Sequence, residues 1–150
     1  MRVFKFGGAS VKDAAGVKNL LNVLVNQGAT DTLVVVSAMG KMTNAFEKIV
    51  HSYLYQKDEL QSSLSSVKSY HAKIISALFK REHAVFEKVD RLFLGLEDFL
   101  DQNTSESYNY VYDQVVCVGE LLSTTIISAY LSSQNISNQW LDVRTVIKTD

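Results

Sequence analysis

A lysine, two glycines and a serine stand close together near the start of the sequence, as Lys5, Gly7, Gly8 and Ser10. The apolar residues before the glycines predict a short strand, and those after them predict a helix. Glycines let backbone N–H groups approach a ligand, a helix start favours negative charge, and the lysine adds a positive charge. The group favours a phosphate site, with a structural glycine turn as the alternative. It is not a Walker P-loop, because the lysine precedes the glycines.

A second polar group follows the next apolar run. Residues 33–36 predict a strand of a parallel sheet that is covered on both faces, and Ser37 and Thr43 lie just beyond it. Ligands of open α/β sheets bind outside the carboxyl ends of the strands, and the first glycine turn lies at that same edge if the strands are parallel. Ser37 and Thr43 can therefore hydrogen-bond a small polar ligand. Taken alone, the segment favours ordinary turn and capping chemistry instead.

A carboxylate in an apolar helical stretch is the third candidate. Gly119 and Glu120 lie among valines and leucines. Because a glycine inside a helix costs about 1 kcal/mol relative to alanine, Gly119 indicates close packing or a nearby ligand. Glu120 can accept hydrogen bonds from a substrate ammonium group. The alternative is close packing at Gly119 beside a solvated Glu120.

The histidines and the single cysteine do not form a catalytic or metal-binding pattern. His51, His71 and His83 lack the spacing of a metal site on one helix face. We predict that His71 lies at a helix interface and that the other two lie at the surface. Cys117 excludes an internal disulfide and a cysteine-based zinc site. It is more typical of a small buried apolar residue than of a nucleophile.

Composition narrows the class of protein. The 150 residues are 47% hydrophobic and 21% charged, with a net charge of −1. This balance is typical of a globular chain and argues against a broad basic surface for nucleic acid or membrane. No apolar run approaches the roughly 20 residues of a membrane span, and the N-terminus does not resemble a signal peptide. The sequence therefore predicts a cytoplasmic protein. The absence of proline permits long uninterrupted helices.

The elements that must position these residues begin as strand, helix, strand and helix, which indicates an α/β fold. Apolar spacing predicts two long helices over residues 60–78 and 85–100, inserted as an antiparallel hairpin, and another over about 106–133. Residues 140–143 predict a returning strand. Capping boxes are predicted at Ser10 with Asp13 and at Asn44 with Glu47. Three strands beside at least five helices predict an incomplete sheet.

Four segments together resemble aspartokinase, the family that phosphorylates the side-chain carboxylate of L-aspartate with ATP. Residues 5–11 look like its KFGGTSV opening, and residues 35–44 look like its VSA…TN segment. Residues 119–123 look like its GE(L/R)xS helix, and residues 140–144 like its strand with D(A/V)R. The segments occur in the family's order and cover essentially the whole chain. The resemblance implies an amino-acid-kinase fold, an αβα sandwich with a mainly parallel sheet.

The resemblance also implies roles on the phosphate side of a site. Lys5 would act in catalysis by neutralising charge on the transferring phosphoryl group, and Gly7, Gly8 and Ser10 would bind ATP phosphate. The cofactors implied are ATP and Mg²⁺, with the metal held by the phosphates and by residues largely outside this chain. No metal ligand is assigned to these 150 residues. Ala9 stands where the family usually has threonine, so a hydroxyl near the phosphate turn is lost.

On the substrate side, the resemblance implies that Ser37, Thr43 and Glu120 line the aspartate pocket, with Glu120 meeting the α-ammonium group. Asp142 and Arg144 match the family pattern and are expected to have a structural or supporting role. The partners implied are L-aspartate and ATP, without nucleic acid or membrane, in a parent enzyme that is a homodimer or larger. The reaction would be the first step in the biosynthesis of lysine, threonine and methionine.

The chain ends before the family's second half. Residues 1–150 are therefore expected to be the N-terminal portion of a kinase catalytic domain, without the ACT regulatory domains and inactive alone. Two alternatives stay open. One is another kinase of the superfamily, acting on glutamate, acetylglutamate, carbamate or a nucleotide. The other is a non-enzymatic half-domain that binds a ligand or a partner. Fusion of the parent to homoserine dehydrogenase is undecided.

Overall fold

The computed structural model describes residues 1–147, and within them the chain forms two strands and five α-helices. The predicted order of strand, helix, strand and helix is confirmed. The elements in chain order are β1 (Arg2–Phe6), a 3-10 turn (Gly8–Val11), α1 (Ala14–Gln27), β2 (Thr32–Val36), α2 (Met42–Tyr55), α3 (Lys57–Leu78), α4 (Val85–Gln102), α5 (Tyr108–Ser133) and a second 3-10 turn (Val143–Thr145).

The two strands pair in parallel and place their carboxyl ends side by side, with Phe6 opposite Val36. One face of the sheet, formed by Phe4, Phe6, Val34 and Val36, packs against the hydrophobic core. On the other face, Val3, Leu33 and Val35 are exposed, Leu33 by 46% and Val35 by 44%. The prediction that the second strand is covered on both faces is therefore wrong for the described residues. The helices of the described residues cover only one face of the sheet, as is expected when the sheet is incomplete.

Residues 140–143 do not form the predicted third strand. The chain from 136 to 142 belongs to no sheet, and the second 3-10 turn follows it. Trp140 instead donates its indole N–H to the Thr124 hydroxyl of α5 at 2.9 Å. A strand needs a neighbouring backbone to pair its N–H and C=O groups. Within residues 1–147 that pairing exists only between β1 and β2.

The first two helices do not begin with the predicted capping boxes. Ser10 lies inside the first 3-10 turn, so the cap of α1 moves to Asp13, whose carboxylate accepts the Gly16 N–H at 2.8 Å. Asn44 lies inside α2, which begins at Met42 without a side-chain cap. In both cases the chain completes a tight turn before the helix, and this moves the helix start away from the expected residue.

Helices α3 and α4 form the predicted antiparallel hairpin. Lys68 Nζ lies 2.6 Å from Glu97 Oε1. One turn further along α3, the ring of His71 meets the edge of Phe93 on α4 at a centroid distance of 5.8 Å. The contact moves backward along α4 as it moves forward along α3, so the two helices run in opposite directions. The hairpin joins the core because α3 packs against α2 and α4 packs against α5.

Helix α5 is the central helix and packs against α2 and α4. Its length and apolar composition are sufficient to cross a membrane, which the run-length argument from the sequence did not detect. More than half of that stretch is buried inside the structure. A helix that is apolar on most sides is equally typical of a protein core.

His71 is fully buried, as predicted for a helix interface. Its Nδ1 hydrogen-bonds the Val67 carbonyl at 2.9 Å, and its Nε2 has no partner among the described residues. The rings of Phe46, Tyr70 and Phe93 surround the imidazole. Burial lowers the pKa of His71, because no group pairs with the charge that a second proton would bring.

This burial predicts a loss of stability in mild acid. Below about pH 6.5 the unfolded His71 binds a proton that the folded one does not, so stability falls as pH falls from 6.5 toward the lowered folded pKa. The slope reaches about 1.4 kcal/mol per pH unit. Urea unfolding at pH 7.5 and 5.5 should show this loss in the wild type and in His51→Gln, an exposed control. His71→Leu should lack it, and an unchanged pH slope in that variant contradicts the assignment.

Candidate functional site

The turns that follow β1 and β2 are locked together at the carboxyl edge of the sheet. The Gly40 N–H donates to the Gly8 carbonyl at 2.9 Å. A Cβ on Gly8 would lie 2.5 Å from the Ala38 carbonyl oxygen and 2.7 Å from that of Gly40, so a side chain does not fit. Gly40 itself has φ +57°, a conformation that favours glycine. The two polar groups of the sequence therefore meet, as parallel strands require.

Helix α5 brings Glu120 to the same turns. A Cβ on Gly119 would lie 3.0 Å from Ala38 Cβ and 3.3 Å from the Phe46 ring, so the glycine lets the helix approach closely. Glu120 is half-buried, and its Oε1 accepts the Ala38 N–H at 3.2 Å. No hydrogen bond to Oε2 is formed within residues 1–147. Close packing at Gly119 is therefore present, but Glu120 is a bonded carboxylate rather than a solvated one.

The candidate phosphate side of this site is open. Lys5 is exposed at the end of β1. A Cβ on Gly7 would meet no atom within 4 Å, so internal packing does not require glycine here and the space is accessible to a ligand. Gly8 and Ala9 carry the first N–H groups of the 3-10 turn, which have no partner inside the turn and can donate to an anion. Ser10 is exposed beside them. The arrangement fits a phosphate group.

The helix start expected at this turn is already occupied. Helix α1 begins after the 3-10 turn, and its Gly16 N–H donates to the Asp13 carboxylate. A carboxylate at a helix N-terminus satisfies the free amides and repels a second anion. The start of α1 therefore lies beyond the glycine turn and is capped by Asp13, and a contribution of a helix dipole to phosphate binding stays a prediction. Lys5 and the N–H groups of the turn are the candidate phosphate contacts here.

Ser37 and Thr43 flank the locked turns on the side of β2. The Ser37 N–H donates to the Phe6 carbonyl at 3.1 Å, which extends the strand pairing by one residue. Thr43 is exposed in the first turn of α2. Neither hydroxyl forms a hydrogen bond within the part of the chain that the structure describes, so both are available to a polar ligand.

Asp142 and Arg144 form an ion pair of 2.7 Å near Cys117. The hydrogen bonds from Arg144 lower the pKa of Asp142. Arg144 Nη1 also lies 3.6 Å from Cys117 Sγ, yet burial dominates and raises the pKa of this half-buried thiol. A thiol with a raised pKa is a poor nucleophile, as the sequence predicts. The ion pair shapes the turn of residues 142–145.

Two features of the site were not visible in the sequence. The first is the Ala38 N–H, the partner of Glu120, because every residue except proline has such a group. The second is a cleft of about 770 Å³ beside β2, lined by α5, by residues 136–147 and by Glu120. Within the described residues, no group of three or more His, Cys, Asp or Glu side chains is placed to hold a metal ion.

The family model described as Amino acid kinase family matches residues 1–150. The chain belongs to the amino acid kinase family. Among curated relatives, Bifunctional aspartokinase/homoserine dehydrogenase 2 of Escherichia coli (strain K12) is 28% identical over 99% of this chain and 18% of its own length. Lysine-sensitive aspartokinase 3 of the same organism is 26% identical over 99% of this chain and 32% of its own length.

A solved structure of an amino acid kinase shows the same fold. E. coli aspartokinase III in complex with aspartate and ADP matches with a TM-score of 0.83 and 26% identity, over 97% of this chain and 32% of that chain. The predicted amino-acid-kinase-like α/β fold, incomplete here and carrying a helical hairpin, is confirmed, as is the resemblance to aspartokinases. The chain spans about a third or less of the length of these relatives.

Proposed function

We propose that the protein containing this chain is an aspartate kinase, which transfers the γ-phosphoryl group of ATP to the side-chain carboxylate of L-aspartate. One observation carries the proposal. Gly8, Gly40 and Gly119 allow close backbone contacts. These contacts bring the turn after β1 and the Glu120 carboxylate together at the turn after β2. The names of the relatives support aspartate as the substrate.

On the phosphate side, Lys5 stabilises negative charge on the transferring phosphoryl group. In phosphoryl transfer, charge spreads over the phosphoryl oxygens in the transition state, and a fixed cation stabilises it there. The N–H groups near Gly7 and Gly8, with the Ser10 hydroxyl, donate to phosphate oxygens. Mg²⁺ bound to the ATP phosphates would neutralise further charge. Its protein ligands are proposed to lie largely outside these 150 residues.

On the acceptor side, Glu120 orients the substrate. Its Oε1 stays with the Ala38 N–H, and its Oε2 accepts a hydrogen bond from the α-ammonium group of aspartate. The hydroxyls of Ser37 and Thr43 donate to the substrate. A side-chain carboxylate oxygen then attacks the γ-phosphorus and forms a new P–O bond, while the bond to the βγ-bridging oxygen breaks and ADP leaves. An ionised carboxylate needs no general base at neutral pH.

Several wider features belong to the same proposal. Residues 1–150 are proposed to be the N-terminal portion of the catalytic domain, with the remainder and ACT domains elsewhere in the protein. The enzyme is proposed to act in the cytoplasm as a homodimer or larger, at the first step of lysine, threonine and methionine biosynthesis. The isolated 150 residues are expected to show negligible turnover, because they span about a third or less of the relatives.

A substrate panel tests the proposal. ADP release by the full-length protein is measured with L-aspartate, L-glutamate, N-acetyl-L-glutamate or carbamate as acceptor. We expect turnover with L-aspartate, and a kcat/KM at least about tenfold lower with glutamate, which is one methylene longer. Turnover with another acceptor but not with aspartate would assign the protein to a different kinase of the family. Absence of turnover with every acceptor would favour a non-enzymatic ligand-binding module.

A further inference from the structure

The side chain of Tyr70 on α3 lies where the two glycine turns meet. The Tyr70 hydroxyl donates a hydrogen bond to the carbonyl of Lys12, which directly follows the first 3-10 turn. The same hydroxyl lies 2.6 Å from the position that a Cβ on Gly40 would occupy. Tyr70 therefore touches the turn after β1 and the turn after β2 at once. None of the roles described above accounts for it.

Among the described residues, one backbone hydrogen bond joins the two turns beyond the strand ends, from the Gly40 N–H to the Gly8 carbonyl, and the Ser37 N–H to Phe6 carbonyl bond lies at the strand ends themselves. One hydrogen bond fixes a distance but permits rotation about it. Tyr70 adds a second attachment at Lys12, on the far side of the 3-10 turn from Gly8. Tyr70 thus ties the end of the first turn to α3 by a hydrogen bond and packs beside Gly40 of the second turn, which restricts the movement of one turn relative to the other.

The environment of Tyr70 suits this task. The ring is half-buried and packs against the core, with His71 edge-on at 5.3 Å. Burial, and secondarily the negative charge of Asp13, raise the pKa of the Tyr70 hydroxyl. The hydroxyl therefore remains protonated, and a donor, throughout the neutral range. The inserted helical hairpin thus connects to the edge of the sheet through a rigid aromatic side chain.

We propose that Tyr70 is a positioning residue for phosphoryl transfer, because it holds the phosphate turn and the acceptor turn at a fixed separation through Lys12 and Gly40. This inference rests on the proposed function. Donor and acceptor react only when aligned, and a misplacement of about 1 Å can lower a rate about 100-fold. Each substrate still contacts its own turn when the turns move apart. The loss should therefore affect kcat more than KM.

Tyr53 offers a matched control. Its hydroxyl donates to the Asn103 carbonyl at 2.8 Å and links α2 to the segment after α4. Tyr53→Phe and Tyr70→Phe each remove one hydrogen bond from a tyrosine hydroxyl to a backbone carbonyl, and Tyr53→Phe also removes the one that Asn103 Nδ2 donates to the hydroxyl at 3.0 Å, so the control is the larger local change. Tyr53 contacts neither glycine turn in the hydrogen bonds of the described residues. A purely structural role for Tyr70 would make the two variants alike.

The kinetic test compares the two variants in the full-length protein. We expect Tyr70→Phe to lower kcat for aspartate phosphorylation about 10- to 100-fold, with KM for aspartate and for ATP changed less than about threefold. Tyr53→Phe should keep kcat within about twofold of the wild type. Equal kcat values in the two variants, or a loss confined to KM, overturn the inference.

A second measurement does not depend on activity. Amide hydrogen exchange should be about tenfold faster at Gly40 and Ser10 in Tyr70→Phe, and unchanged there in Tyr53→Phe. If the wild-type protein shows no aspartate-dependent turnover, the proposed function fails, and exchange alone then decides whether Tyr70 holds the turns. Unchanged protection at Gly40 in Tyr70→Phe contradicts that role.

Discussion

Lys5→Met lowers the kcat of the full-length protein for aspartate phosphorylation by about 100- to 1000-fold. Methionine keeps an unbranched stem of similar length but removes the positive charge. Lys5 is exposed near the end of β1, two residues before Gly7, where a Cβ would meet no atom within 4 Å. In the proposed mechanism its charge acts mainly in the transition state, so KM for aspartate should change less than kcat. Initial rates of ADP release at saturating substrates provide the measurement.

Lys18→Met is the control for this experiment. Lys18 is an exposed lysine on α1 that lies outside the glycine turns, so its loss should leave kcat within about twofold of the wild type. A Lys5→Met protein that retains kcat within about threefold of the wild type removes Lys5 from phosphoryl transfer. Phosphate binding would then depend on the N–H groups of the turn alone.

Glu120→Gln raises KM for L-aspartate about 10- to 100-fold, the range expected for loss of a charge-assisted hydrogen bond. Glutamine can still accept the Ala38 N–H through its amide oxygen, so the turn should keep its shape. The variant loses the negative charge that is proposed to meet the α-ammonium group. KM for ATP should stay within about threefold, because the proposed ATP phosphate site is the other turn. Initial rates over a range of aspartate and ATP concentrations give both constants.

Glu47→Gln is a matched control on α2. Glu47 is exposed, and its Oε1 accepts one hydrogen bond from the Tyr108 hydroxyl at 3.1 Å, so it is also a carboxylate with a single acceptor contact. Its replacement should leave KM for aspartate unchanged. If Glu120→Gln and Glu47→Gln give the same KM, Glu120 does not bind the substrate ammonium. Its role is then limited to holding Ala38.

Local patterns in the sequence were sufficient for β1, β2 and the long helices. The apolar spacing of residues 60–78 and 85–100 predicted α3 and α4 to within a few residues, because each helix buries one face along its whole length. The helix starts were predicted less well. A 3-10 turn after Gly7 moves the cap of α1 to Asp13, and such a turn has no distinct sequence pattern.

Long-range features account for the remaining errors. Residues 140–143 have a strand-like composition, but strand formation depends on a neighbouring backbone that the described residues do not supply. The apolar run of residues 33–36 is typical of a strand buried on both faces, yet Leu33 and Val35 are exposed. An apolar composition indicates that a strand is stable when both of its faces are buried. It does not show which segment of the protein packs on each face.

The candidate site was only partly predictable. Glycines mark the places where backbones approach closely, so Gly8 and Gly119 pointed to the contact region from sequence alone. The position of Glu120 depends on a backbone N–H at Ala38, which no sequence pattern reveals. Tyr70 lies next to a buried histidine on α3, and its sequence neighbours gave no indication that its hydroxyl reaches Lys12.

The most direct test of the account is the identity of the phosphorylated product. The full-length protein is incubated with ATP, Mg²⁺, L-aspartate and hydroxylamine, which intercepts an acyl phosphate as a hydroxamate. We expect aspartate hydroxamate, modified at the side-chain carboxylate, to accumulate in step with ADP and to require L-aspartate. ADP release without this hydroxamate, or no aspartate-dependent ADP release at all, would contradict it.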